Sequence, residues 1–128
     1  MSKASLGLNT VLNLKTVSGH GVGKILGFPT LNFEYDDELR GVFAAWVVID
    51  GSKEAFRSAI NIGARPTFED ARVGLEAHLL DLEELEIESG HSVEIVLVKK
   101  IRETKKFDSK EALIEQISMD VEKVKELL

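Results

Sequence analysis

The hydrophobic period of this chain changes once, and that switch limits the folds open to it. Up to about residue 101 the apolar residues alternate or run nearly unbroken, as strands do. TVLNLKTV (10–17) sets Leu12, Leu14 and Thr16 opposite Val11, Asn13 and Lys15. VFAAWVVID (42–50) is almost continuously apolar and ends at Asp50-Gly51, a dipeptide suited to a tight hairpin, so AFRSAINI (55–62) reads as the returning strand. VGLEAHLL (73–80) places Val73, Leu75, Ala77 and Leu79 on one face, with Glu76 and His78 on the other. SVEIVLVKKI (92–101) follows a turn containing Ser89 and Gly90. From Ser109 the spacing becomes helical, with Leu113, Ile114, Ile117, Val121, Val124, Leu127 and Leu128 on one stripe. Asp108, three residues before Glu111, reads as the N-cap of a capping box. Antiparallel strands followed by one terminal helix predict a mainly β fold. The expected form is a small closed or nearly closed barrel, about 10–101, with the helix, about 109–128, packed outside. No linker or repeat interrupts the chain, so residues 1–128 read as one domain.

Composition removes several function classes. At 128 residues, 44% apolar and 30% charged, the chain is long enough for a core and too apolar for disorder. It has no continuous apolar run of membrane-spanning length, and MSKASLGLNT lacks a signal-peptide segment, so a cytoplasmic protein with no membrane partner is expected. Without cysteine there are no disulfides and no thiolate metal sites. A net charge of −6 with 6% aromatic residues argues against nucleic acid as a partner. Charge is unevenly spread: DLEELEIE (81–88) carries five acids and no base, KKIRETKK (99–106) five bases and one acid. Each run reads first as a solvated face, and the basic one can also draw in an anionic ligand.

GHGVGKILGFPTLN (19–32) is the densest candidate site. A Walker A loop needs Gly where Ser18 stands and Ser or Thr where Ile25 stands, and the dinucleotide fingerprint needs Gly at Lys24. Gly27 and Pro29 also disfavour the helix both templates require. Glycines at 19, 21 and 23 can nevertheless turn successive N–H groups onto one anion, with Lys24 adding charge. Pro29 stiffens its neighbours into an extended segment over 28–33, in which Thr30 and Asn32 point the same way. A hydroxyl and an amide oxygen side by side are hard ligands able to share Mg²⁺ with nucleotide phosphates. The alternative is a flexible turn whose exit Thr30 and Asn32 cap.

Glu76 sits mid-strand among apolar residues. Facing a barrel interior it is a candidate general base; facing solvent it is an ordinary strand carboxylate. His78 shares its face and reads first as a hydrogen-bonded structural residue. In INIGARPTF (60–68), Asn61 and Arg65 suit a phosphate or polar ligand, or simply fill a turn. His20 and His91 lie in turns without metal-ligand spacing, and no Gly-x-Ser-x-Gly nucleophile motif occurs.

Together GHGVGKILGFPTLNF, GVF (41–43), AINIGARPTF (59–68), LEAHLLD (75–81) and IRETKKFDSKEAL (101–113) resemble, in order and separation, the riboflavin kinase (flavokinase) family. That family also forms the C-terminal half of bacterial bifunctional riboflavin kinase/FAD synthetases. The resemblance spans residues 10–128, its specificity resting on GFPTxN, NIGxRPTF and ExHLLD. It implies a six-stranded antiparallel, Greek-key-like closed barrel with an external C-terminal helix. It also implies a monomeric ATP:riboflavin 5′-phosphotransferase that uses Mg²⁺ and gives FMN and ADP. Carried over, Gly19, Gly21, Gly23 and Lys24 arch over the ATP phosphates, Thr30 and Asn32 hold Mg²⁺ and nucleotide, and Glu76 is the catalytic general base. Asn61, Arg65, His78, Arg102 and Phe107 become flavin-contacting or supporting residues. The length leaves no room for a nucleotidyltransferase half, so a stand-alone kinase or an excised domain is expected. Two departures stand out. Phe43 replaces the family's usual Tyr, and LEELEIESG after Asp81 is about two residues longer and more acidic than the family's segment bordering the flavin. The alternative is a flavin- or nucleotide-binding module of the same fold without efficient turnover.

Overall fold

Asp50 and Gly51 take positive φ angles of 49° and 68°, and the Ser52 N–H donates to the Ile49 carbonyl at 3.0 Å, a tight turn that opens the connection over residues 50–55. The turn belongs to a computed structural model that describes residues 10–17, 28–35, 37–64, 73–82 and 89–128. Among them are six strands and one helix: β1 (Thr10–Val17), β2 (Thr30–Glu34), β3 (Gly41–Ile49), β4 (Phe56–Ala64), β5 (Val73–Leu79), β6 (Ser92–Arg102) and α1 (Lys110–Leu127). Every pairing is antiparallel, and the sheet closes in the order β1-β2-β5-β4-β3-β6. β3, β4 and β5 are successive neighbours while β6 returns to lie beside β3, the Greek-key arrangement. Closure leaves no exposed edge, so the expected closed barrel with an outer helix is what forms.

The lumen is filled. Leu31, Phe33, Phe43, Val47, Ile60, Ile62, Leu75, Leu79 and Ile95 meet there in one buried cluster. β3 explains its own unbroken apolar run: Phe43, Ala45 and Val47 point into the lumen, while Ala44 packs outward under α1. A strand covered on both faces gives no alternation to read. The Phe43 ring lies in this lumen, so its departure from tyrosine removes a hydroxyl from the core and not from the outer wall.

The helix packs Leu113, Ile117, Val121 and Val124 onto a shallow floor of Ala44, Ala59 and Leu80. Each fully buried aliphatic side chain contributes about 2 kcal/mol by leaving water. Its start differs from the expectation. Ser109, with extended φ/ψ of −145° and 159°, is the N-cap, and its hydroxyl accepts the Ala112 N–H at 3.1 Å. The cap therefore falls one residue after Asp108. Glu111 then occupies the second helical position, where it can favour the helix dipole but cannot close a capping box. Serine caps as well as aspartate does, so composition alone did not decide between them.

Two irregularities in β6 matter for the site. Pairing with β3 slips between Val42 and Phe43 and again between Ala44 and Ala45, so Arg102 lies opposite Val42. An unbroken ladder from Ala45–Leu97 would have put Lys100 there. Gly41 permits this junction. It has φ 135°, and a Cβ would sit 2.6 Å from Lys100 Cε and 3.3 Å from the Arg102 carbonyl oxygen.

Candidate functional site

One row of residues crosses five strands on the outside of the barrel. Register places Asn32 opposite Glu76, Glu76 opposite Asn61, Asn61 opposite Val42, and Val42 opposite Arg102. Adjacent strands are 4.7–4.9 Å apart, so the row extends roughly 19 Å along the curved wall. A parallel row, two residues along, runs Thr30, His78, Ala59 and Ala44. Both rows face outward because Leu31, Phe33, Leu75, Ala77 and Ile60, which alternate with them, fill the lumen.

Glu76 was expected to face either the interior or solvent, and it does neither. It stands on the outer wall and is still only 6% exposed, in a cleft it shares with residues of α1 and of the chain leading into it. Asn61, Glu76, His78, Arg102 and Phe107 line one cleft there, with Val42, Ala59, Leu113, Ile117 and Asp120. The cleft encloses about 20 Å³, room for one water. Lys105 lies 5.3 Å from the centre of the Phe107 ring, a cation–π contact.

At the β2 end the Thr30 hydroxyl donates to the Phe28 carbonyl and lies against His78 Nδ1, both at 3.2 Å. A hydroxyl has one proton. With that proton on Phe28, Nδ1 is the protonated ring nitrogen and one Thr30 lone pair remains for a ligand. Burial pushes the His78 pKa down to about 4, only partly opposed by the Asp120 carboxylate, so the ring is neutral at pH 7.

At the β6 end Arg102 is bound to a residue that sequence reasoning missed. Its Nε and Nη2 donate to the two Asp120 carboxylate oxygens at 2.8 and 2.7 Å, and Gln116 Nε2 donates to the same carboxylate at 3.1 Å. Asp120 is 4% exposed on the apolar face of α1. The available signal was its spacing, three residues after Ile117 and one before Val121, which puts an acid inside the stripe.

The last residue of LEAHLLD has a separate job. Asp81 (φ 66°) accepts from Arg57 Nη2 and Nε at 2.7 and 3.0 Å, tying the end of β5 to β4. The guanidinium holds its carboxyl below the usual carboxylate range. Gly19, Gly21, Gly23, Lys24, Arg65 and most of the acidic segment after Asp81 lie outside the described residues. No group of three or more His, Cys, Asp or Glu able to hold a metal occurs among the described residues.

A closed Greek-key barrel with a packed lumen and a polar cleft on its outer wall, roofed by a terminal helix, defines the class of protein. Comparison with known proteins narrows it. Residues 6–128 match the family model described as Riboflavin kinase, and the chain belongs to that family. It is similar to the bifunctional riboflavin kinase/FMN adenylyltransferase of Escherichia coli (strain K12), 34% identical over 94% of this chain and 38% of that protein. It therefore spans under half of such bifunctional relatives. The riboflavin kinase of Mus musculus is 30% identical over 89% of this chain and 77% of its own length. Among solved structures, riboflavin kinase from Trypanosoma brucei superposes with a TM-score of 0.64 at 26% identity, covering 92% of this chain and 78% of that one. A Streptococcus pneumoniae structure described as a macrolide-efflux protein superposes with a TM-score of 0.74 at 26% identity, over 91% of this chain and 38% of that one. Among the described residues of this chain no helix is long and apolar enough to cross a membrane.

Proposed function

We propose that the chain is a riboflavin kinase, transferring the γ-phosphoryl group of ATP to the ribityl 5′-hydroxyl of riboflavin to give FMN and ADP. The observation that carries this reading is the buried Glu76 at the centre of a polar row, flanked by Asn32 and Asn61, in a chain of the riboflavin kinase family. Phosphoryl transfer needs positioning and charge neutralisation more than covalent chemistry; the row offers the positioning, and Lys24 with an ion on Thr30 and Asn32 would supply the charge. Glu76 accepts the proton of the attacking hydroxyl. Asn32 and Thr30 face the phosphate end, and Asn61, Arg102 and Phe107 the flavin end. By resemblance, Gly19, Gly21, Gly23 and Lys24 serve the phosphates and Arg65 supports the ligand.

Thr30 and Asn32 suit magnesium. They are neutral hard oxygen donors, the Thr30 hydroxyl keeps a lone pair, and two neutral ligands hold Mg²⁺ only together with anionic phosphates and water. Bound there, the ion neutralises phosphate charge. His78 fixes the Thr30 hydroxyl so that oxygen rather than hydrogen faces the ligand, and α1 keeps bulk water from Glu76.

The test is incubation with riboflavin, ATP and Mg²⁺ and chromatography for FMN. The wild type is expected to form FMN, and Glu76→Gln to lose on the order of 10²- to 10⁴-fold in rate, the usual worth of a general base. Riboflavin binding without FMN would instead make the chain a flavin-binding module, a reading that the altered segment after Asp81 favours.

A further inference from the structure

The Arg102–Asp120 pair is hard to explain by stability alone. Asp120 shares the buried face of α1 with Leu113, Ile117, Val121 and Val124, and the side chains of Arg102 and Asp120 are 20% and 5% exposed. Replacing such a buried ion pair by apolar residues is often neutral or stabilising, so packing does not call for a carboxylate here. What the carboxylate does provide is geometry. A guanidinium carries five N–H groups. Asp120 takes two and the Glu103 carbonyl takes a third, from Nη1 at 2.9 Å. Among the described residues two remain without a partner, one on each terminal nitrogen, on a side chain that lines the cleft. Gln116 braces Asp120 in turn. The guanidinium is thereby fixed in one plane and its charge cancelled. An unpaired arginine would favour phosphate, whereas a fixed, compensated one is suited to a neutral carbonyl acceptor.

We propose that Asp120 is a positioning residue for the flavin end of the site: it locks Arg102 and cancels its charge, so that the remaining N–H donors meet a neutral acceptor on riboflavin. The inference rests on reading this cleft as the riboflavin site. Asp120 acts through Arg102 and touches no reacting atom.

The experiment measures riboflavin affinity by quenching of its fluorescence, together with the KM values for riboflavin and ATP. Asp120→Asn, Arg102→Leu and the double variant are each checked for thermal stability. Asp120→Asn is expected to weaken riboflavin binding about three- to tenfold, the worth of one positioned hydrogen bond, with kcat and the ATP KM nearly unchanged. In the Arg102→Leu background the same substitution should add nothing further. A folded Asp120→Asn with wild-type riboflavin affinity would overturn the proposal, as would an equal loss in both backgrounds. Should Asp120→Asn not fold, Asp120→Glu, which keeps the charge but displaces it by one methylene, carries the same comparison. Binding needs no turnover, so a wild type that binds riboflavin but forms no FMN would sink the kinase reading and leave this one standing or falling on affinity.

Discussion

Inside the cleft His78 gives up its ordinary basicity, and stability should respond to pH accordingly. Its pKa is pushed down from 6.5 to about 4 by burial, against a smaller opposing pull from Asp120 on α1. Glu76 of β5 and Arg102 of β6 line the same cleft. Between pH 6.5 and 4 the unfolded chain binds a proton here that the folded chain does not. This contribution is thus fully present above pH 6.5 and is lost as the pH falls, by up to about 3 kcal/mol. Urea midpoints measured from pH 7.5 to 5 should fall, and His78→Gln should flatten that slope; an unchanged slope would show that other groups govern it. At this scale the sequence was partly legible. Glu76 and His78 stood out as polar residues in an apolar strand, but alternation gives relative faces only. An outer wall hidden under a helix lies beyond the choice between interior and solvent. Asp120 escaped notice because Glu115, Glu122 and Glu126 share its helix, and its partner Arg102 lies on another element.

The elements were more readily legible than their junctions. Alternation, the Asp50-Gly51 turn and the helical stripe each correspond to an element found, whereas β4 runs to Ala64, two residues past the expected end. The slips in β6 left no mark in the sequence, since a bulge inserts a residue without changing composition. Yet they decide that Arg102 and not Lys100 stands in the row with Asn61 and Glu76. The cap at the start of α1 offers a clean contrast. Ser109→Ala should cost about 1 kcal/mol, lowering Tm by roughly 3–5 °C. Asp108→Ala should stay within about 0.5 kcal/mol, as substitutions away from a defined interaction do. Thermal melts of the two variants check this, and a larger effect at Asp108 would restore the capping box.

For the whole molecule, topology determines where chemistry can occur. Large side chains pack the lumen, so the polar row lies on the outer wall, and the helix turns part of that surface into a cleft. A second groove, lined by Lys15, Gly51, Ser92 and Glu94, lies between β1, β6 and the hairpin turn, and has none of the row's residues. The two regions can be told apart directly. Amide ¹H–¹⁵N spectra of the chain, titrated with riboflavin in the presence of Mg·ADP, should show the largest changes at Asn61, His78, Arg102, Phe107 and the first two turns of α1. Changes centred on Lys15, Gly51 and Ser92, with the outer-wall row unmoved, would contradict the account.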